Sequence, residues 1–322
     1  GEDIVPMVRW LERRGSRRGE EAAGVGRANV AACAAPVELS GLLREALFDQ
    51  IDTAVLTSAT LSTRDGFDFL RRRLGLDRGV RSLEASHASP FDFETQTVLA
   101  LATDLPGPRG GAAGAFDLAT AAVVEDLARL SDGGLFVLFT SYRSLRNVAA
   151  ELRRRGTEGR WPLFIQGDTP RARLLERFTA SGRGILLGVA SFWEGVDVPG
   201  EPLRGLVIAK LPFKVPTEPL TAARIETIER NGGSGFAEYM LPHAALRLKQ
   251  GFGRLIRSRG DRGAVVILDR RVVERGYGRY LLEGLPPAPV HTGSWPVLLE
   301  RLRAFYARTS LEANPLTAEI AP

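Results

Sequence analysis

The residues best suited to chemistry lie in the segment 250–263, which reads QGFGRLIRSRGDRG. The segment follows a helical pattern, EYMLPHAALRLK, and if that helix continues, Gln250, Arg254 and Arg257 recur on one face. One amide and two guanidinium groups would then point in the same direction. Two convergent arginines suit the oxygens of a phosphate group in transfer. The pattern therefore predicts a phosphate-facing helix, with a solvated basic helix as the alternative.

The same segment indicates how such a helix would be held in place. Leu248, Phe252 and Leu255 recur at helical spacing on another face, and that face is apolar. Gly251 and Gly253 each cost about 1 kcal/mol of helix stability relative to Ala. We expect the apolar face to pack against a core and the glycines to let another backbone or a ligand approach closely.

The elements that must position these residues form an alternating pattern of apolar strands and amphipathic helices. This alternation predicts an α/β fold, a parallel sheet with helices on both faces. Ligands bind such sheets at the carboxyl ends of the strands. The predicted strands are 54–57, 97–102, 135–139, 162–166, 185–190, 205–211 and 264–268, and the predicted helices are 66–74, 117–130, 142–155, 170–180, 218–230, 236–258 and 295–307.

Two hydroxyl-rich tracts follow predicted strands. The tract 57–60, TSAT, could hydrogen-bond to a neighbouring loop, and a helix cap is the alternative. In the tract 140–143, TSYR, Ser141 could cap the next helix, or the hydroxyls and amides could bind a phosphate at the helix N-terminus. The adjacent Tyr142 and Arg143 also suit a groove for single-stranded nucleic acid.

A third tract, GVASFWEGVDVPG at 188–200, follows the predicted strand 185–190. It carries two aromatic residues, and its acidic residues Glu194 and Asp197 have no evident structural partner in the sequence. Exposed acids are the ordinary explanation. Their glycine-rich surroundings favour a loop that a ligand approaches closely.

Composition limits the class of protein. The 322 residues are 44% hydrophobic and contain no apolar run near 18 residues, so we expect a cytoplasmic protein without a membrane partner. The single cysteine, Cys33, excludes an internal disulfide and a cysteine metal cluster within this chain. A net charge of +5 permits nucleic acid as a partner. Because only three of the 43 basic residues are lysine, the arginine excess by itself is weak support for phosphate binding.

Taken in order, SATL, LFTSYRSL, SFWEGVDVPG with KLPF, and QGFGRLIRSRGDRG resemble the DinG/XPD-like branch of superfamily 2 helicases, from about Val30 onward. The tract KLPFKVPTEPL at 210–220 is similar to the DinG side in particular. The resemblance implies two RecA-like domains that clamp ATP and Mg²⁺ between them, with single-stranded DNA running across both. Residues 1–92 would be the C-terminal remnant of the first domain, and residues 93–322 would be the second.

The resemblance also implies roles for individual residues. Arg257 would be the arginine finger, with Arg254 and Gln250 beside it facing the γ-phosphate. The other implied roles are nucleotide binding by Glu194, Gly195, Asp197 and Gly253, coupling of hydrolysis to movement by Ser58, Ala59 and Thr60, and DNA binding by Thr140, Ser141, Arg143, Ser191, Phe192 and Lys210.

The sequence departs from the family pattern in what it lacks. It contains no GxxxxGK[ST], no DEAH-type box and no four-cysteine cluster, so an iron–sulfur cluster could belong only to a longer parent. We therefore expect the C-terminal portion of a 5′→3′ helicase of DNA repair or replication, inactive without the N-terminal RecA-like domain of its parent. The alternatives are a non-catalytic nucleic-acid-binding module with a degenerate motor fold, and an ATP-binding regulatory or scaffold domain.

Overall fold

The computed structural model describes residues 6–14, 29–76, 81–108, 113–189, 192 and 203–313. The chain divides into two compact units, Gly1–Ala85 with Lys214–His243, and Ser86–Phe213 with Ala244–Pro322. The contacts thus group residues 214–243 with the first unit. The assignment of residues 1–92 and 93–322 to two motor domains stays a prediction.

The secondary structure follows the predicted alternation. In chain order, the strands are β1 (Met7–Arg14), β2 (Asn29–Pro36), β3 (Thr97–Ala102), β4 (Leu135–Leu138), β5 (Leu163–Ile165), β6 (Ile185–Gly188), β7 (Gly205–Ile208), β8 (Gly263–Ile267) and β9 (Val290–Gly293). The helices are α1 (Ser40–Ala46), α2 (Asp68–Leu74), α3 (Phe93–Gln96), α4 (Ala113–Ser131), α5 (Tyr142–Arg154), α6 (Arg171–Ser181), α7 (Pro219–Arg230), α8 (Leu241–Phe252), α9 (Arg271–Glu274), α10 (Tyr277–Glu283) and α11 (Trp295–Ala313).

The second unit contains a seven-stranded sheet in the order β5-β6-β4-β7-β8-β3-β9, and every pairing in it is parallel. Helices flank the sheet, and β3, β4, β6, β7 and β8 are buried along their whole length because both faces are covered. The predicted α/β fold is therefore confirmed. The edge strand β9 was not predicted, because its sequence VHTG carries no continuous apolar pattern; two of its four residues are exposed and two are partly buried.

In the first unit, β1 and β2 form an antiparallel pair in which Met7 lies opposite Pro36. α7 is fastened to the end of β2 by Arg224, which is 5% exposed and donates to the carbonyl oxygen of Val37 (2.7 Å). A second guanidinium nitrogen of Arg224 donates to the hydroxyl of Tyr239 (3.0 Å). The bond to Val37 joins residues 214–243 to the N-terminal part of the first unit, and the bond to Tyr239 orients the same guanidinium group.

The strand predicted at 54–57 is wrong. Residues 52–57 have no regular secondary structure, and Val55 and Leu56 are 83% and 48% exposed. A strand requires a neighbour to bond its backbone, and no strand in the described part of the chain pairs with this segment. Among the described residues, no helix is both long enough and apolar enough to span a membrane.

Candidate active site and nucleic-acid surface

The arginine segment does not continue the helix as predicted. A π-helical turn, Phe236–Met240, leads into α8, which ends at Phe252 rather than near residue 258. Gly253 N–H still donates to the carbonyl oxygen of Lys249 (2.9 Å), but Arg254 N–H reaches back only three residues (3.1 Å). The helical ladder thus ends at glycine positions, where helix propensity is low. The prediction that Gln250, Arg254 and Arg257 share one helical face is therefore wrong, because the helix ends before Arg254 and Arg257.

A short braced loop positions Arg257 instead. The carboxylate Oδ2 of Asp261 accepts the backbone N–H groups of Arg257 and Ser258 (2.8 Å each), and Oδ1 accepts the Ser258 hydroxyl (2.7 Å). From the other side, Gln96 donates its amide protons to the carbonyl oxygens of Ser258 (2.9 Å) and Asp261 (2.8 Å). Asp261 and Gln96 are both buried. The main chain of Arg257 is consequently fixed without a helix.

Sequence reasoning missed both bracing residues. The run SRGDRG carries Asp and Gly, which are typical of turns, and an Asp that bonds nearby backbone N–H groups is a common turn device. That signal could have identified Asp261. Gln96 lies far away in sequence and gives no comparable local signal.

The predicted apolar face of the segment is confirmed. Leu248 and Phe252 are fully buried and Leu255 is 2% exposed, and the ring of Phe252 packs on that of Phe93. Gln250 and Arg254 are partly buried. Gly253 is exposed, so a ligand can reach its backbone.

The TSYR tract lies at the carboxyl end of β4. The hydroxyl of Ser141 accepts the backbone N–H of Ser144 (3.3 Å), so the predicted helix cap is confirmed. Thr140 is partly buried, whereas Tyr142 and Arg143 are exposed. The tract therefore offers a polar and aromatic surface on a capped helix.

Two buried side chains brace this tract. Asp117 of α4 accepts hydrogen bonds from Ser144 and, at 2.8 Å, from Asn147, which fixes the first turns of α5. Gln166, which follows β5, donates to the Tyr142 hydroxyl (2.8 Å) and accepts the backbone N–H of Val189 (2.7 Å). Neither residue was predicted, since both act across long sequence separations.

The KLPF tract is held at the carboxyl end of β7. The backbone N–H of Leu211 donates to Oδ2 of Asp269 (3.0 Å), which is fully buried after β8. Arg271 donates Nε to Oδ1 of the same carboxylate (2.7 Å), and this hydrogen bond raises the pKa of Arg271. Lys210 is partly buried, with its ammonium group 5.6 Å from the centre of the Phe116 ring. The buried ion pair thus sets the position of the backbone next to Lys210.

The structure corrects the expectation for Phe192. Its side chain is 1% exposed, its ring packs edge-on against Phe136 with centroids 6.3 Å apart, and the guanidinium of Arg171 lies 5.2 Å from its ring centre. Phe192 is therefore a core residue. Gly188 lacks a side chain and so leaves room for Phe192, since a Cβ atom there would lie 3.0 Å from its Cβ and Cγ.

The remaining predicted residues fall into two groups. In the first unit, the hydroxyl of Ser58 accepts the backbone N–H of Thr60 (3.3 Å), which forms a local turn around the exposed Ala59. The other group lies outside the described residues and comprises Ser191, Glu194, Gly195 and Asp197.

Comparison with known proteins places this geometry in a family. Residues 124–288, just over half of the chain, match the helicase C-terminal domain. The chain belongs to this family. Together with the relatives and solved structures described next, this match confirms the predicted resemblance to DinG/XPD-like helicases.

Two of the curated relatives of this helicase C-terminal domain are named as DNA helicases, and a third is named as an exonuclease. The chain is 38% identical over 255 residues to the ATP-dependent DNA helicase YoaA of Escherichia coli, covering 79% of the chain and 38% of the relative. It is 38% identical over 264 residues to the 3′-5′ exonuclease DinG of Bacillus subtilis, covering 81% and 28%. It is 35% identical over 289 residues to the ATP-dependent DNA helicase DinG of Photobacterium profundum, covering 88% and 40%. The chain thus spans less than half the length of each relative.

Solved structures agree on the fold. An XPD helicase superposes with a TM-score of 0.59 at 18% identity, covering 81% of this chain and 46% of that one. An XPD structure without ligand superposes with a TM-score of 0.58 at 16% identity, covering 80% and 52%. The helicase C-terminal domain therefore has a RecA-like fold.

Proposed function

We propose that this chain is the C-terminal part of an ATP-dependent DNA helicase of the DinG/XPD type, acting 5′→3′ in DNA repair or replication. It would supply an arginine finger and a contact surface for single-stranded DNA. The observation that carries the proposal is the braced loop after α8, in which Asp261 accepts the backbone N–H of Arg257 and Gln96 donates to the carbonyl oxygens of Ser258 and Asp261.

The arginines act on phosphate charge in this proposal. A guanidinium group stabilises the negative charge that develops on the γ-phosphoryl oxygens in the transition state. Such a group is most effective when it is already in position, because no reorganisation is then needed during the reaction. The bracing of the loop supports a preorganised Arg257, with Arg254 and Gln250 as neighbouring contacts and Gly253 as a close backbone approach to the nucleotide.

The rest of the ATPase site would come from another domain. The sequence of this chain contains neither GxxxxGK[ST] nor a DEAH-type box. We infer that the N-terminal RecA-like domain of the same parent chain supplies the phosphate cradle and most of the contacts to ATP and Mg²⁺. Glu194, Gly195 and Asp197 would add nucleotide contacts from this chain. Any iron–sulfur cluster would belong to the parent and not to this chain.

The decisive experiment replaces the finger in the parent protein. Arg257→Ala should reduce DNA-stimulated ATP hydrolysis by about 10³-fold or more while leaving ATP binding largely intact, because a finger acts mainly on the transition state. Arg257→Lys should be nearly as poor, since one ammonium group cannot replace a planar fork of donors. Arg259→Ala, at an exposed position two residues further on, is the matched control and should be mild. Wild-type turnover by Arg257→Ala would contradict the proposal.

The DNA surface would lie at the carboxyl edge of the sheet. Thr140, Ser141 and Arg143 follow β4 and Lys210 follows β7, the strand paired with β4, so hydroxyl and cationic groups follow neighbouring strands. Ser191 would extend this surface. In the first unit, Ser58, Ala59 and Thr60 would couple hydrolysis to movement.

Binding of single-stranded DNA to the 322-residue chain tests this surface. Phosphate contacts release counterions, so affinity should fall steeply as salt rises. Arg143→Ala should weaken binding and lower the salt slope by about one, whereas Arg259→Ala should change neither. Binding that is absent, or insensitive to salt, would argue against the surface and would favour an ATP-binding scaffold.

A further inference from the structure

One buried amide joins the ends of three neighbouring strands. Gln166 directly follows β5 and is 8% exposed. Its oxygen accepts the N–H of Val189, which follows β6, and its NH₂ group donates to the hydroxyl of Tyr142, in the first turn after β4. β6 lies between β5 and β4 in the sheet, so the amide bridges loops from three adjacent strands.

The orientation of this amide is determined by its partners. The backbone N–H of Val189 can only donate, so the amide oxygen must face it and the NH₂ group must face Tyr142. The backbone N–H of Gln166 donates to the carbonyl oxygen of Leu187 (3.0 Å), which fixes Gln166 to β6. Gly167 follows at φ +98°, in a region that favours glycine, and lets the chain turn away at once. One end of the bridge is therefore rigid.

The other end reaches the surface. Tyr142 is 48% exposed and lies next to the exposed Arg143. The Asp117 contacts to Ser144 and Asn147 hold the first turns of α5, so the backbone that carries the Tyr142 ring is fixed. A ligand on this ring would contact a residue that is connected, through the amide of Gln166, to the backbone of Val189.

We propose that Gln166 is a positioning residue that links single-stranded DNA at the Tyr142 surface to Val189 at the end of β6. The inference rests on the proposed function, which assigns DNA to the surface at Thr140, Ser141 and Arg143 and nucleotide to Glu194 and Asp197, which follow Val189 in the sequence. Gln166 touches neither ligand. It sets the position of Tyr142 relative to Val189. Its loss should therefore reduce the stimulation of ATP hydrolysis by DNA more than it weakens DNA binding or hydrolysis without DNA.

The experiment measures ATP turnover of the parent protein with and without saturating single-stranded oligothymidylate. Tyr142→Phe and Gln166→Leu should each lower the stimulation by DNA by about 3- to 10-fold. The double variant should lose no more than Gln166→Leu alone, because the hydrogen bond that Tyr142→Phe removes is already absent in Gln166→Leu. Tyr142→Phe keeps the ring, so the Kd of the 322-residue chain for the oligonucleotide should change less than about twofold.

Tyr306→Phe is the matched control. The Tyr306 hydroxyl donates to the carbonyl oxygen of Arg204 (2.7 Å), at the amino end of β7, and the residue is 8% exposed. The same chemical change is thus made away from the strand ends that carry the proposed site. It should leave the stimulation by DNA unchanged even if it lowers the unfolding temperature.

The outcomes distinguish a failure of the proposed Gln166 link from a failure of the proposed function. Unchanged stimulation in Tyr142→Phe, or additive losses in the double variant, would overturn the link. Because Tyr142→Phe leaves the buried amide in place, poor folding of Gln166→Leu would not remove this test. Failure of the wild-type chain to bind oligothymidylate would instead contradict the proposed DNA surface.

Discussion

Two hydroxyl-rich motifs follow similar apolar tracts in this chain, yet only one tract forms a strand. LFVL, which precedes Thr140, forms β4, pairs with β6 and β7 and is completely buried. AVLT, which leads into Ser58, forms no strand, and Val55 within it is 83% exposed. Local sequence thus specifies an apolar pattern in both places, and strand neighbours decide whether the pattern becomes a strand.

The two motifs also differ in how they are held. Ser58 accepts a hydrogen bond from Thr60, within the motif itself. The Thr140 motif is held by Asp117 and Gln166, which lie far away in sequence. Long-range hydrogen bonds to buried side chains fix a motif more firmly than a local turn does, because local turns compete with many other backbone states. The following predictions test this contrast between the braced carboxyl edge and the segment 51–60.

The largest effect is expected at Asp269. Asp269→Ala should lower the free energy of unfolding of the chain by about 3–5 kcal/mol, because it leaves the partly buried Arg271 without its carboxylate and Leu211 N–H without its acceptor. Denaturant unfolding measures the change. Ser58→Ala is the comparison in the exposed motif of the first unit and should stay within about 0.5 kcal/mol of the wild type. Equal effects of the two substitutions would remove the contrast.

A pair of leucines tests strand pairing directly. Leu138→Ala at the end of β4 should cost about 2–5 kcal/mol, because Leu138 is fully buried and a cavity remains. Leu56→Ala at the matching place before Ser58 should stay within about 0.5 kcal/mol in this chain, since Leu56 is 48% exposed. A large cost for Leu56→Ala in this chain would show that the segment is packed after all.

The same contrast explains how much of the fold could be predicted from sequence. β3 and β8 were predicted almost to the residue, because a continuous apolar run is itself the signal of a strand buried on both faces. The segment 54–57 carries the same apolar signal but forms no strand, because an apolar run contains no information on whether a neighbouring strand is present. β2 was missed for the opposite reason: its alanine-rich run NVAACAAP has little strand propensity, and its pairing with β1 makes it a strand.

A third, smaller effect is expected at the arginine loop. Asp261→Ala should cost about 1.5–3 kcal/mol of stability, because it removes a charged acceptor from the N–H groups of Arg257 and Ser258. In the parent protein, the same change should lower the maximal hydrolysis rate more than it raises KM for ATP, since the loop positions the finger for the transition state. Asp261→Asn keeps one oxygen for both N–H groups and should retain more of both quantities. Full hydrolysis by Asp261→Ala would show that the finger does not depend on this brace.

The candidate site was only partly predictable for the same physical reason. Residue types and spacing drew attention to Arg254 and Arg257, but the predicted helix extended too far, because it continued through Gly251 and Gly253, where α8 ends. The bracing residues Gln96 and Gln166 could not be predicted, since a glutamine that bonds distant backbone groups has no signature at its own position. Sequence thus indicated the groups suited to phosphate chemistry and gave no account of what holds them.

The smallest expected effect is a pH dependence of stability that differs between an ion-pair cluster of the second unit and an exposed ion pair of the first unit. In α5 of the second unit, hydrogen bonds from Arg154 and then Arg155 lower the pKa of Glu151 to about 2. A lowered folded-state pKa gives stability that is complete above the unfolded value, 4.5, and is lost as the pH falls toward 2. Glu151→Gln should therefore be less stable than wild type near neutral pH, and the gap in unfolding midpoint should narrow steadily through this acid range. In the first unit, Asp49 and Arg44 form an exposed pair at 3.6 Å, so Asp49→Asn should change the midpoint little. A gap for Glu151→Gln that stays constant down to the lowest pH would show that its arginine contacts do not stabilise the folded helix.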